Sequence, residues 1–376
     1  MNRSFAVPAT ILVLALAGCS PAAATPSAAP SVATAAAPTP ASTSTPTPTT
    51  AASPSSVATA TASTSDSATA SANPALAPGD PWLAFQADDQ AGYGVHLIRP
   101  DGTGEFSITA AVPGREQLHP DWSPDGTKMV FSVGGDASRD LWVTDANGGN
   151  ADRIVTCDEC DQVDEPAWSP DGRSIAFHRE GLVGRVYQST LEIYDVATRT
   201  SRVVLTAASD RVVFAPRWSP DGTRLVMEYV HRKGTTAEAD FDGDEIGIVD
   251  LTAAKPTFHA LTKVAAFGNN PDWSPAGDLI VFSQPAIPPK LDAEADLWTM
   301  RPDGTHLARI TRLADQGSSA VMPTFTPDGR RIVFDLAKVA GGDSVMATVA
   351  IDGSDLQPAV TSGFLGGLHA RFRPTP

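Results

Sequence analysis

The sequence is poor in cysteine, in tyrosine and in positive charge. Three Cys and four Tyr occur among 376 residues, and 27 Lys and Arg stand against 43 Asp and Glu, which gives a net charge of −16. An acidic protein repels phosphate backbones, so the composition argues against nucleic acid as a partner.

Aromatic and charged residues are nearly absent from the first part of the chain. Residues 20–79 have no aromatic side chain and only one charge, Asp66. This stretch is mostly Ala, Ser, Thr and Pro, which cannot bury enough apolar surface to offset the entropy of ordering the backbone. We therefore expect a disordered, Pro-extended tether over 19–79. All seven Trp fall in residues 80–376, which are enough for one large core.

Long hydrophobic runs are also absent, apart from one short run at the N-terminus. Residues 1–18 combine Arg3, the apolar run 5–17 and small residues at the end, which is the pattern of a secretory signal peptide. The end Leu16-Ala17-Gly18-Cys19 resembles the lipobox of bacterial lipoproteins. That resemblance implies cleavage before Cys19, acylation of this residue (palmitate) and anchoring on the extracytoplasmic face of a bacterial membrane. The alternative is an ordinary secretion signal with a chance cysteine.

Only Cys157 and Cys160 remain after Cys19. In an exported protein, two cysteines this close are most simply a local disulfide. A metal-binding pair and a redox pair are the alternatives. The surrounding sequence favours a loop between strands, whereas a redox pair of the thioredoxin type precedes a helix.

A repeat dominates residues 80–376. A Trp-Ser-Pro-Asp-Gly turn, or a close variant, recurs about every 50 residues, the period of one four-stranded propeller blade. Pro presets the first central position of the turn and Gly suits the left-handed position after Asp. The five aromatic positions are Trp122, Trp168, Trp218, Trp273 and Phe325.

Apolar strands follow each turn, for example Met129-Val130-Phe131 and Ile280-Val281-Phe282. The segment Trp82–Gln86 matches the second strand of a blade, and no first strand precedes it. The C-terminal segment 369–374 supplies a first strand that nothing follows. We therefore expect an all-β, six-bladed propeller of four-stranded blades, closed by the C-terminal strand joining the N-terminal blade.

The Trp-Ser-Pro-Asp-Gly units resemble the repeat of TolB-type (PD40-like) β-propellers, and the resemblance covers essentially all of 80–376. It implies the propeller fold. Similar propellers precede hydrolase domains in prolyl-oligopeptidase-like enzymes, but no Gly-x-Ser-x-Gly elbow occurs in this sequence.

The position three residues before each aromatic is variable and should converge near the mouth of the channel. It is occupied in turn by His119, Glu165, Ala215, Asn270, Met322 and His369. Ring closure makes His369 a neighbour of His119, so His119, His369 and Glu165 could hold a divalent metal such as Zn or Mn. Oligogalacturonate lyases resemble this arrangement. The alternative is a polar channel without chemistry, with further lining residues Asp121, Arg217, Asn270, Asp272 and Arg371.

A second acidic feature is Asp240-Phe241-Asp242-Gly243-Asp244, which resembles the first half of a calcium-binding EF-hand loop. The position that would need a bidentate Glu is Leu251. We therefore expect an acidic hairpin turn before a strand that starts at Glu245, with calcium binding as the alternative.

Two functions follow from these features. The first is a lipid-anchored, extracytoplasmic module that binds a protein, peptide or glycan at the cell envelope. The second is a metal-dependent polysaccharide lyase or hydrolase that uses the His and Glu cluster. The first needs no cofactor, and Ca, Mn or Zn are the metals that the second, or the acidic turn, would take.

Overall fold

A computed structural model of the chain describes residues 73–374, apart from positions 90–91, 109–111, 113–115, 135–137, 185, 234–240, 264–267, 286–293, 339–343 and 361–367. These residues form six four-stranded antiparallel sheets. Among them, helical structure is limited to a 3₁₀ turn at Ala314–Gln316. The predicted signal peptide (1–18), Cys19 and most of the predicted tether lie outside the described residues.

The strands follow one another in groups of four, and each group forms one blade. The first three strands are β1 (Leu83–Asp89), β2 (Gly92–Ile98) and β3 (Phe106–Ser107). Blade 2 contains β4 (Glu116–Trp122), β5 (Lys128–Gly134), β6 (Arg139–Asp145) and β7 (Asp152–Val155). Blade 3 contains β8 (Gln162–Trp168), β9 (Ser174–Val183), β10 (Val186–Asp195) and β11 (Thr200–Thr206).

The remaining strands continue the pattern. Blade 4 contains β12 (Arg211–Trp218), β13 (Arg224–Arg232), β14 (Phe241–Asp250) and β15 (Phe258–Ala260). Blade 5 contains β16 (Asn269–Trp273), β17 (Ile280–Pro285), β18 (Ala295–Met300) and β19 (Ala308–Arg309). Blade 6 contains β20 (Ser318–Phe325), β21 (Arg331–Lys338), β22 (Val345–Ala350) and β23 (Gln357–Pro358), and β24 (Leu368–Phe372) follows.

The ring is closed by the two ends of the chain. The last strand, β24, pairs with β1 through Leu83 opposite Phe372 and Ala84 opposite Arg371, and so completes blade 1. The innermost strands contact one another in the cyclic order β24, β4, β8, β12, β16, β20 and back to β24. The predicted six-bladed propeller, with its C-terminal closing strand, is confirmed.

Each repeated turn is organised by its own side chains. In blade 2, Gly126 has φ 65° and donates its backbone N–H to Ser123 O at 2.8 Å. The Asp125 carboxylate accepts bonds from Ser123 Oγ at 2.6 Å and from the Thr127 backbone N–H at 3.0 Å. Gly is required here because a Cβ at this φ is strained.

The aromatic residue before each turn packs between two blades. Trp122 is buried in a cluster with Trp82 and Leu97 of blade 1. Its indole N–H donates to Arg371 O at 3.0 Å, on the inner strand of that blade. The indoles of Trp218 and Trp273 bond in the same way to the preceding inner strand. The aromatic residue therefore joins neighbouring blades by packing, and in three blades also by a hydrogen bond.

The antiparallel order gives the propeller two different faces. The repeated turns join first to second strands on one side, which we call the turn face; second and third strands join on the opposite side, which we call the hairpin face. Residues 73–80 lie at the turn face: Asn73 Nδ2 donates to Ser107 O and Asn147 O, and Arg373 Nη1 donates to Ala77 O at 2.8 Å. The chain therefore reaches the propeller on the turn face.

Candidate binding site at the channel opening

A left-handed residue interrupts all six innermost strands towards the hairpin face. These residues have φ between 47° and 55° although none is glycine, and they are His119, Glu165, Ala215, Asn270, Met322 and His369. The strand register shifts at the same point in each blade, as in a β-bulge. Positive φ is uncommon outside glycine and costs about 1–3 kcal/mol, so the fold imposes this conformation. The six positions predicted from sequence therefore form one structural ring, which we call the bulge ring.

Polar side chains of neighbouring blades hold the backbone of the bulge ring. The backbone N–H of His119 donates to Gln86 Oε1 at 3.1 Å, and that of His369 donates to Asp335 Oδ2 at 3.2 Å. The N–H of Asn270 donates to Glu228 Oε1. In each case the acceptor lies on the second strand of the preceding blade.

Sequence analysis missed these three acceptors, which occupy equivalent positions on the second strands. In every blade this position directly follows an apolar triplet and is buried: Gln86, Ser132, His178, Glu228, Ser283 and Asp335. A polar residue placed after an apolar triplet at the same point of every repeat was the signal that could have found them. Burial raises the pKa of Asp335 well above its usual value, and within the described segments its Oδ1 has no hydrogen-bond partner.

His119 and His369 meet at the opening, with ring centroids 4.4 Å apart and an edge-to-face geometry. His119 Nδ1 lies 2.7 Å from Asp164 Oδ1, and both side chains are almost fully buried. Burial opposes ionisation of Asp164, but His119 and Arg139 outweigh it and hold the pKa of the carboxyl well below its usual value. Burial and the neighbouring His119 lower the pKa of His369 well below its usual value, so that His369 is neutral.

Glu165 belongs to a separate interaction. Its Oε2 lies 3.2 Å from His178 Nδ1 and accepts the backbone N–H of Ala215 at 2.5 Å. Burial opposes ionisation of Glu165, but His178 lowers its pKa overall, and Glu165 in turn raises the pKa of His178 against the effect of burial.

In the described part of the chain, no group of three His, Cys, Asp or Glu side chains is arranged to hold a metal ion. The structure thus brings His119 and His369 together but directs Glu165 to His178. A metal at His119, His369 and Glu165 stays a prediction.

A charged ring lies one step further along the inner strands, at the positions directly before the aromatic residues. Arg371 Nε lies 4.0 Å from Asp121 Oδ1. Asp272 Oδ2 accepts a hydrogen bond from Thr324 Oγ1 at 2.8 Å. Burial and the charge of Arg217 lower the pKa of Arg371 to about 10. Two cations and two carboxylates therefore lie close together, and Asp121 also joins two blades, because it accepts the Trp168 backbone N–H. That these residues line a channel stays a prediction.

The acidic segment of blade 4 lies in a strand where we had expected a turn. Asp242 and Asp244 belong to β14, which begins at Phe241 and pairs with β13, whereas Asp240 lies outside the described residues. Asp242 is exposed, but Asp244 is buried, and burial raises its pKa to about 7. The expected start of this strand at Glu245 was wrong. Gly243 is a typical turn residue, but here it pairs with His231, so the hairpin of blade 4 is longer than expected. Calcium binding stays a prediction.

Cys157 and Cys160 form a disulfide in the loop between β7 and β8, with Cα atoms 5.3 Å apart. The loop is tied down where Cys157 donates its backbone N–H to Asp140 Oδ1 at 2.8 Å. A Cβ on Gly181 would come within 2.8 Å of Cys160 Cα, so the loop packs directly on β9. No helix follows the pair.

Comparison with known proteins identifies the family. The family model of the PD40 TolB β-propeller domain matches residues 58–286, and the chain belongs to this family. No curated protein matches the sequence. No helix in the described segments is long and apolar enough to cross a membrane.

Solved structures show the same fold at low identity. TolB from Acinetobacter baumannii is 18% identical, with a TM-score of 0.58 over 79% of this chain and 68% of that one. A putative TolB from Agrobacterium tumefaciens is 17% identical, with a TM-score of 0.53 over 78% and 98% of the two chains. An oligogalacturonate lyase in complex with manganese is 16% identical over 75% and 74%, but its TM-score of 0.48 is too low to carry an argument.

Proposed function

We propose that this protein is an extracytoplasmic interaction module that binds a protein or peptide partner at the hairpin face. The observation that carries the proposal is the contrast between the two faces. The turn face repeats one turn in five blades, and the Ser or Thr and Asp side chains of each turn bond to one another. The bulge ring instead places five different residue types at the six equivalent positions around the other opening. Membership of the TolB propeller family supports an interaction module.

An apolar hairpin tip on the same face supports this choice. Strands β9 and β10 have ten residues each, and they carry Leu182, Val183 and Val186, which are 47%, 64% and 43% exposed. Exposed aliphatic side chains on the turn face (Val196, Leu307, Ile351 and Leu356) are spread over the loops of three blades, whereas these three lie together on one hairpin. A contiguous exposed apolar patch is a feature of interaction surfaces.

A glycan ligand and an enzymatic function remain the rival hypotheses. The buried His119–Asp164 pair favours the enzyme, because a carboxylate that orients an imidazole is the usual arrangement of a general base. Release of unsaturated or reducing sugar ends from polygalacturonate by the purified protein, lost in His119→Ala, would favour a lyase or hydrolase over the binding module.

We further propose that Cys19 is acylated and anchors the protein at the cell envelope. The lipobox-like sequence supports this, and the tether would leave the propeller from its turn face. Metabolic labelling with an alkyne palmitate analogue should label the wild-type protein and leave Cys19→Ser unlabelled and absent from the membrane fraction. Equal labelling of both proteins would refute the anchor.

The partner can be sought by site-specific photo-crosslinking of the full chain in its host. Val183 on the hairpin face and Val196 on the turn face are exposed residues of the same type in the same blade, so they form a matched pair. A photoreactive residue at 183 should give a discrete crosslinked partner, identifiable by mass spectrometry, and one at 196 should not. A partner crosslinked only from 196 would overturn the proposal.

A further inference from the structure

Two buried carboxyl groups face the same side of blade 4 near the hairpin face. Asp244 on β14 lies opposite Val230 of β13, and Glu228 lies two residues before Val230, so both side chains share one face as diagonal neighbours. Glu228 is 6% exposed and Asp244 is 8% exposed. Two carboxyl groups this close and this deep are costly unless a cation or hydrogen-bond donors compensate them.

The described residues supply little compensation. Glu228 accepts the backbone N–H and, at 3.0 Å, the side-chain Nδ2 of Asn270, whereas Asp244 Oδ1 has no hydrogen-bond partner among them. Basic side chains further along β13 have other partners: His231 Nε2 lies 2.9 Å from Glu245, and Arg232 lies over the Tyr187 ring. Burial and then the charge of Asp244 raise the pKa of Glu228 well above its usual value.

Blade 5 adds a third acceptor to this place. A Cβ on Gly268 would come within 3.0 Å of Ile246 and 3.1 Å of Phe282, so β14 and β17 meet at Gly268. Asp244 and Gln284 each lie two residues closer to the hairpin face than Ile246 and Phe282, on the same sides of these strands. Gln284 is 6% exposed, and its Oε1 accepts no hydrogen bond from the residues that the structure describes.

We propose that Glu228, Asp244 and Gln284 form a binding site for an organic cation, that is, an ammonium or guanidinium group. The three side chains offer acceptor oxygens, and such a group offers both charge and several N–H donors. The cation comes from a free amine or from a Lys or Arg side chain of the partner; this second source rests on the proposed function.

Calorimetric titration of the full chain at pH 8 tests the site with three probes. Cadaverine represents a free amine, acetyl-Gly-Arg-Gly-amide represents a side chain, and acetyl-Gly-norleucine-Gly-amide is the neutral control. The two cationic probes should bind and the neutral one should not. Tighter binding of the arginine peptide assigns the site to a partner's side chain, and tighter binding of cadaverine assigns it to a free amine. Equal heats from all three probes would overturn the site.

Isosteric variants separate binding from structure. Asp244→Asn and Glu228→Gln should weaken binding of the cationic probes by about tenfold or more, because each removes a carboxyl group that can ionise to pair with the bound cation. Asp210→Asn makes the same charge change at an exposed position of the same blade and should bind as the wild type does. Both buried-site variants should melt at or above the wild-type temperature. A lower melting temperature with unchanged binding would make the pair purely structural.

The outcome for this site is separable from that of the binding module. A partner crosslinked through position 183, together with no binding of either cationic probe, would leave the interaction function in place and remove the cation site.

Discussion

At the scale of single residues, the buried carboxyl of Asp244 should set part of the pH dependence of stability. Its pKa is about 7 in the folded protein against 3.8 for an ordinary Asp, so the folded state holds a proton that the unfolded state releases between these values. The free energy of unfolding therefore falls as the pH rises from about 4, and the fall from this group is complete above about 7.

Urea unfolding of the wild type and of Asp244→Asn between pH 4 and pH 8 measures this effect. The two proteins should have similar free energies of unfolding at pH 4, and the variant should gain on the wild type as the pH rises to about 7. A difference that stays constant over this range would contradict the assignment.

Single residues of the repeated turns were enough to predict those turns from the sequence, even where one residue differs. Blade 5 has Ala276 where the other turns have Asp, and Asp278 replaces the missing carboxylate by contacting Ser274 Oγ at 2.8 Å. The turn was therefore predictable from Pro and Gly alone. The buried acceptors Glu228 and Asp335 were not, because only the left-handed bulge turns a backbone N–H of the next blade towards them.

At the scale of strands and loops, the aromatic residue before each turn should be the main link between blades. Trp122→Ala removes a buried indole and should cost about 3–5 kcal/mol. Trp122→Phe keeps most of the packing and loses the bond to Arg371 O, so it should cost about 1–2 kcal/mol. Phe325 already occupies this position in blade 6. Chemical denaturation gives both values, and equal costs would show that packing is not the main contribution.

The loop that contains Cys157 and Cys160 should depend only modestly on its disulfide. The closed ring is short, and the loop also has hydrogen bonds of its own. Replacing both cysteines with Ser should lower the free energy of unfolding by about 2 kcal/mol or less. Denaturation of this variant and of the oxidised wild type, without reductant, measures the value, and the reduced wild type is the control. Loss of folding in the variant would contradict a modest contribution.

Strand prediction succeeded where the repeat marked both ends and failed where one hairpin is longer than the others. The second strands and the closing strand followed from the repeated motif. In blade 4, Asp242 and Gly243 are typical turn residues, yet pairing with His231 and Val230 extends the strand through them. The backbone hydrogen bonds between β13 and β14 outweigh the local turn preference of these residues, and this pairing cannot be read from the local sequence.

At the scale of the whole molecule, ring closure should decide whether the protein folds. Ending the chain at residue 367 removes β24, exposes an edge of β1 and deletes the carbonyl that accepts the Trp122 indole. This truncation should lose the cooperative thermal transition and aggregate, whereas ending the chain at Pro374 should leave it unchanged. Circular dichroism during heating compares the two, and a sharp transition in the shorter chain would contradict closure as the main support.

Binding of a partner at the hairpin face is the central proposal for this protein. Hydrogen–deuterium exchange of the full chain, with and without the partner that crosslinks through position 183, measures this most directly. The partner should slow exchange in segments near the hairpin face, at 178–187, 228–232 and 241–246. It should leave the turns at 123–127, 169–173 and 219–223 unchanged. Protection of the turns, with no change at the hairpin face, would contradict the account.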